Sequence, residues 1–349
     1  MEVVLNPLMI SNKNLNQIKF HSMRHFKYLL IAIVVLMVGC KDKQTGYKPN
    51  VGGKAGEMLV VMDDKIRTSP GGEELQALLT ETYLGLPQEE PHFKMSVAPH
   101  RSFANFLRTI RNIVMVTVKP DVKEEAVKFY HDRWARPQAV VSITAKDTAS
   151  LKQLVEANQL KILSFFNKAE RERFIGEYKK FASDELMKLA DSTFHVHMSI
   201  PNSLSNKRST KSFIWMNEAA DWGFQGMFLY EVPYVGEGTF SKEYLLNKRD
   251  SILHKNVPGP SKGSFMTTEH LYPVIYKKTE INGNEVVEMR GLWKVQNDMM
   301  GGPFVLQAHY DKKSNRVVIT DGFVYSPEKP DKRDKIRQME ALMYTLTFK

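Results

Sequence analysis

The chain has 349 residues, of which 42% are hydrophobic and 25% charged, with a formal net charge of +10. That balance is globular and excludes a largely disordered or collagen-like chain. A single cysteine excludes an internal disulfide framework, a cysteine zinc site and a C-x-x-C redox motif.

The cysteine explains itself by its place. Met23–Lys27 is basic, Tyr28–Val38 is a continuous apolar run, and Gly39-Cys40 is followed at once by polar Lys41-Asp42-Lys43. This is the layout of a secretory signal, and the run falls short of the roughly 20 residues of a membrane span. Residues 1–39 are expected to be a signal peptide that begins at Met23, with 1–22 an upstream extension. Met37-Val38-Gly39-Cys40 resembles the lipobox of bacterial lipoproteins, with methionine in place of the usual leucine. The resemblance implies cleavage before Cys40 and lipidation there, palmitate included, so that the membrane is a partner through the anchor. Lys41 is not the aspartate that retains many lipoproteins at the inner membrane, so outer-membrane attachment is expected, with the body periplasmic or surface-exposed. Removing 1–39 leaves a net charge of +7. The basic residues are spread along the chain rather than gathered, so no nucleic-acid partner is expected.

Residues 40–56 read as a lipidated flexible tether, polar and rich in Gly and Lys. Glu57–Met62 has a buried-strand pattern, and a helix is expected around Gly72–Tyr83. Phe93–Val97 alternates as a strand. A short helix carries Phe103, Phe106, Leu107 and Ile110; Ile113–Val118 and Ala139–Thr144 are strands, with a helix near Lys123–Asp132 between them. A long helical stretch covers 147–190, its stripe being Phe166, Ala169, Phe174, Tyr178 and Phe181, and the run Lys168–Arg173 a solvated face. Phe194–Ile200, Phe213–Met216 and Met227–Tyr230 are strands, and Ser241–His254 is a helix. Asn282-Gly283 marks a hairpin between Tyr272–Lys277 and Glu285–Val295. A second hairpin joins Phe304–His309 to Arg316–Thr320. An amphipathic helix with Ile336, Met339, Leu342, Met343 and Leu346 on one face closes the chain. The expected class is α+β, with mixed or antiparallel sheets and packed helices. Two α+β halves, 57–192 and 193–349, share a strand, strand, strand, helix order that raises the prospect of duplication.

Several strings together resemble one family. They are Gly56–Asp64, Leu86–Pro91, Trp134–Gln138, Val257–Pro260 with Ser264–Thr268, Arg290–Trp293, Met300–Phe304 and Asp321–Pro327. They look like the Bacteroidota lipoprotein family known as domain of unknown function 4837, over almost the whole chain beyond the signal. The resemblance implies a lipoprotein, and no catalytic residue carries over from it.

Chemistry has few candidates. Gly259-Pro260-Ser261-Lys262-Gly263 fits G-x-S-x-G, and His270, Asp298 and His309 supply partners for a hydrolase triad. A nucleophile elbow needs a strand before the serine and a helix after it, and the pattern here reads the other way. A Pro/Gly loop is the favoured reading. His195 and His197 lie two apart on an expected strand and would share a face, and an exposed polar face explains them better than a metal. Asp63 and Asp64 close the first strand, where they either bind a ligand or turn the chain. Arg290 and Trp293, beside Asp298, suit anion or sugar recognition, or a structural arginine paired with Asp298. Walker, dinucleotide and H-E-x-x-H motifs are absent, so no cofactor and no metal is expected. The leading reading is a non-enzymatic binding or assembly module of the cell envelope, with an envelope protein or glycan as partner. The alternative is an envelope serine hydrolase using Ser261.

Overall fold

The computed structural model describes residues 47–328 and 331–349. Cys40, the signal peptide and residues 41–46 lie outside the described residues. Pro49–Lys349 forms one unit. Its first sheet is built from β1 (Glu57–Val61), β2 (Lys94–Ala98), β3 (Asn112–Val118), β4 (Ala126–His131) and β5 (Ala139–Ala145), in the order β2-β1-β3-β5-β4. The first four of these neighbours run parallel, and β4 is antiparallel to β5. The three central strands are nearly continuous apolar runs because one face carries helices and the other is partly covered. The helical face holds α1 (Asp64–Arg67), α2 (Pro70–Thr80) and α3 (Thr148–Lys180), packed through Leu75, Leu79, Leu151, Val155, Ile162 and Phe166. Ser69 caps α2 by accepting from the Gly72 amide, and Asp147 caps α3 by accepting from the Ser150 amide at 2.8 Å.

The second sheet is antiparallel throughout. After α4 (Asp184–Phe194) and the two-residue β6 (Val196–His197) come β7 (Asn206–Thr210), β8 (Phe213–Ala220), β9 (Gly223–Pro233), α5 (Lys242–Asn256), β10 (Phe265–Thr268), β11 (Ile275–Ile281), β12 (Asn284–Gln296), β13 (Gly301–Asp311) and β14 (Arg316–Tyr325). The sheet order is β10-β12-β13-β14-β9-β8-β7, with β11 also paired to β12. The chain ends with α6 (Lys332–Met343) and β15 (Thr347–Phe348), which pairs with β6. One face of this sheet is covered by α5, and the other by α4 and α6 through Leu186, Phe194, Ile336, Met339 and Leu342. The Gly301-Gly302-Pro303 string has a packing origin. A Cβ on Gly302 would lie 2.0 Å from the Val324 carbonyl oxygen, so only glycine lets β13 and β14 come together there.

The α+β class therefore holds, but the two halves do not share a sheet plan: the first sheet is largely parallel and the second antiparallel. The expected helix near Lys123–Asp132 is the edge strand β4. There Val127 and Phe129 turn to the helical face while Lys128 and Tyr130 turn away, a period of two that pairing with β5 exploits. The stretch 147–190 falls in two helices, because α3 ends at Lys180 and Ser183 caps the first turn of a new one by accepting from the Leu186 amide. The expected short helix at 103–110 is a pair of 3-10 turns, His100–Ser102 and Asn105–Thr109. Residues 49–56, part of the expected tether, are bound to the body instead. Val51 donates to the Arg136 carbonyl at 2.9 Å and Gly52 to the Thr109 carbonyl at 2.8 Å.

Candidate functional site

α3, the segment between α2 and β2, the β11–β12 hairpin and α6 enclose a cavity of about 380 Å³. Its hub is Arg290, placed on β12 beside Glu288 by strand alternation. The Arg290 guanidinium contacts Glu288 Oε1 at 2.9 Å and Glu340 Oε2 at 2.9 Å. It also donates to the Tyr83 hydroxyl at 2.7 Å, which in turn donates to Glu340 at 3.2 Å. Glu288 is held further by Gln307, whose amide donates to Oε2 at 3.1 Å. Arg171 of α3 approaches Glu340 at 3.8 Å and stacks 3.8 Å from the Tyr344 ring. Burial alone would raise Glu340, but Arg290, Arg171 and Arg337 outweigh it and hold the carboxyl below its ordinary range.

Two cations of the lining are different. Arg337 lies between the rings of Tyr83 and Phe93, 4.9 and 5.0 Å from their centroids, and donates to Asn167 Oδ1 at 2.9 Å. Its Nη1 has no hydrogen-bond partner, and it meets no carboxylate within ion-pair distance among the described residues. Lys277 of β11, opposite Glu288 in the strand register, is exposed and has no ion pair among the described residues either. His92 faces Tyr83 at a 5.1 Å ring distance. Burial, then the charge of Arg337, lowers its pKa to about 4 and keeps the imidazole neutral.

The glutamates of the lining are already paired. Glu170, 1% exposed, is bound by Arg111 at 3.1 Å and Arg173 at 3.0 Å, and accepts from Asn112 at 2.6 Å. This corrects the reading of Lys168–Arg173 as a solvated face: Glu170 and Arg173 turn inward and pin α3 to the first sheet. Burial lowers Arg173 to about 10.

Of the residues singled out by sequence, only Arg290 lines the cavity, and its partners are Glu288 and Glu340 rather than Asp298. Trp293 points to the opposite face of β12; it is 2% exposed and donates to the Val324 carbonyl at 3.2 Å. Asp298 shapes the β12–β13 turn by accepting from the Met299 amide at 2.7 Å. Asp63 accepts from the His100 amide at 3.2 Å, and Asp64 pairs with Arg67 at 3.5 Å. The five do not converge.

Of the hydrolase candidates Ser261 and Asp298 meet, but neither His270 nor His309 joins them. Ser261 follows a helix and precedes β10, and its hydroxyl donates to Asp298 at 2.9 Å. His270 is bound to Asp250 at 2.8 Å. His309 is buried with its Nε2 unpartnered, and burial lowers its pKa to about 3. His195 and His197 do not share a strand, because His195 ends α4 in a left-handed conformation at φ 52°.

Pattern reading missed most of the cavity. Arg337, Glu340 and Tyr344 follow helical spacing on the side of α6 away from its apolar stripe, and Asn167 and Arg171 do so on α3. Those spacings were available, but nothing local told a buried polar stripe from a solvated one.

Residues 183–345 match a family model described as "Domain of unknown function (DUF4837)", and residues 52–179 match one described as "Domain of unknown function (DUF8532)". The chain thus carries a domain of unknown function in each half. The strings Gly56–Asp64, Leu86–Pro91 and Trp134–Gln138 fall in the second of these matches, so the resemblance to the first does not extend over the whole chain. No curated protein matches the sequence. The cavity draws Tyr83, His92 and Arg171 from one matched segment and Lys277, Arg290 and Arg337 from the other.

Proposed function

We propose that the chain is a lipoprotein of the cell envelope, attached to the outer membrane through Cys40, and that its body acts by binding rather than by catalysis. The ligand enters the cavity between α3, β11–β12 and α6 and presents a carboxylate, as the acidic end of an envelope glycan or of a protein segment does. The observation that carries this reading is the charge inventory of the lining. Every glutamate there is matched to arginines at ion-pair distance, whereas Arg337 and Lys277 have no carboxylate within ion-pair distance among the described residues. An anion between them supplies the missing partner, and Tyr83, Tyr344 and Ile275 offer apolar surface to the rest of the ligand. His92, held neutral, adds a donor without a competing charge.

A thermal-shift comparison tests it. The chain from Lys41 onward is heated with hexuronic acid oligomers and carboxylate-terminated peptides, and with their methyl esters and amides. A ligand that binds only the folded state raises Tm with concentration. The acids are expected to raise Tm and their masked forms to leave it unchanged; equal shifts from both would overturn the reading.

A further inference from the structure

The first sheet has a second face, turned away from α2 and α3. Among the described residues, Leu59, Val61, Ile113 and Val140 of that face are covered by Phe103, Leu107 and Ile110 of the segment that carries the two 3-10 turns and by Trp134. The cover is unusual at its surface. Phe106, at the tip of the second turn, is 71% exposed. Exposed Arg101 and Arg108 lie on the same two turns, and exposed Arg133 precedes Trp134, which packs on Phe103; none of the three meets a carboxylate within ion-pair distance among the described residues, while Asp132 pairs with Arg136 at 3.1 Å. Two of these arginines lie on aromatic rings instead: Arg108 is 5.9 Å from the Phe103 centroid, and Arg133 is 4.9 and 4.7 Å from those of Tyr130 and Trp134. Phe103 and Trp134 are themselves edge to face at 5.1 Å.

The chain enters the body at this same patch. Arg136 donates from its amide to the Pro49 carbonyl at 2.8 Å, and Gly52 donates to the Thr109 carbonyl at 2.8 Å. Pro49 lies nine residues after Cys40, a reach of at most about 30 Å when extended. An anchor at Cys40 therefore keeps this patch closer to the bilayer than a free tether through residue 56 would.

We propose that this face rests on the membrane surface, Arg101, Arg108 and Arg133 engaging anionic lipid headgroups and Phe106 entering the interface. The inference rests on the lipid-anchor reading for the proximity of the membrane, but the chemistry of the face is its own. Guanidinium groups match phosphate oxygens in a two-pronged geometry, and their spreading over aromatic rings presents them flat to a surface. Aromatic side chains favour the headgroup level. The cavity at Arg290 is built from other elements and does not use this patch.

Sedimentation with vesicles tests it. The unlipidated chain from Lys41 onward is mixed with vesicles of phosphatidylglycerol and phosphatidylcholine (3:7) and with phosphatidylcholine alone, at low and high salt. Binding to the anionic vesicles alone, weakened by salt, is expected. Each arginine removed lowers partitioning roughly fivefold, so Arg101→Gln/Arg108→Gln/Arg133→Gln together lower it about a hundredfold. Phe106→Ser lowers it without changing the salt dependence, and Arg208→Gln, on edge strand β7 of the second sheet, leaves it unchanged. All these positions are exposed, and an unaltered urea midpoint confirms the fold of each variant. Equal binding to both vesicles, or full binding by the triple variant, overturns the proposal. So does a wild type that ignores anionic vesicles and instead captures a soluble envelope protein through this face. Palmitate incorporation at Cys40 is scored separately, so that a failed anchor and a failed docking face give different results.

Discussion

Arg290 of β12 and Glu340 of α6 approach to 2.9 Å, and the Tyr83 hydroxyl closes the triangle by accepting from the first and donating to the second. The three residues come from three separate stretches of the chain. Together they tie α6 to β12 and to the segment that follows α2, which sets the shape of the cavity. Removing the Glu340 charge leaves a largely buried guanidinium with one of its two counter-charges missing. Glu340→Gln is expected to cost about 2–3 kcal/mol in urea unfolding at neutral pH, less than for a fully buried pair because the ends remain partly solvated. Arg290→Met with Glu340→Leu should cost less than the sum of the single changes. Strict additivity would show that the two do not act together.

Ser261 is expected to be inert. Its hydroxyl is held by Asp298 and no imidazole among the described residues hydrogen-bonds to it, so purified protein should neither take up a fluorophosphonate probe nor show esterase activity that Ser261→Ala abolishes. The substitution breaks one exposed hydrogen bond, and its effect on stability is expected to stay within about 1 kcal/mol. Stoichiometric labelling of Ser261 would restore the hydrolase.

How much of this was legible follows from where the information lies. The alternation of β12, the Asn282-Gly283 turn and the apolar stripe of α6 are local patterns, and each names its element correctly. β4 misled because Lys123–Asp132 is charged and short, and only pairing with β5 reveals its period of two. Lys168–Arg173 misled because a charge run looks solvated until Arg111 and Asn112 arrive from the first sheet. The partners of Arg290 are beyond any local pattern: Tyr83 is 207 residues away, and only the completed fold shows that Asp298 is not among them. Trp293 and Asp298 were singled out for their chemistry, but in the fold one packs a core and the other shapes a turn.

Acid should destabilise the fold through its histidines. His309 has a folded pKa of about 3 and His92 of about 4, both below the ordinary 6.5. Between those values and 6.5 the unfolded chain binds protons that the folded chain refuses. The stabilisation is therefore complete above pH 6.5 and drains away as pH falls toward 3. Asp321 works the other way: burial outweighs Arg249 and raises it to about 6, so the folded form takes up its proton first. Urea unfolding at pH 7.5, 5.5 and 4.5 measures the slope. His309→Gln is expected to remove about 1.4 kcal/mol per pH unit from it, one proton's worth. An unchanged slope would mean that the imidazole is protonated inside the fold.

Cys40→Ser is expected to abolish incorporation of labelled palmitate. Wild-type protein should sediment with outer-membrane markers on a density gradient. Retained label in the variant would refute lipidation at Cys40, and co-sedimentation with inner-membrane markers would refute the assigned membrane.

Calorimetric titration of wild type and Lys277→Met with a trihexuronate and with its methyl ester tests the binding account most directly. Lys277 is exposed, so its loss leaves the Arg290 triangle and the fold in place. The account predicts saturable binding of the acid, at least tenfold weaker in Lys277→Met and weakened by salt, with no heat from the ester. No saturable binding of the acid, or equal binding of acid and ester by both proteins, would contradict it.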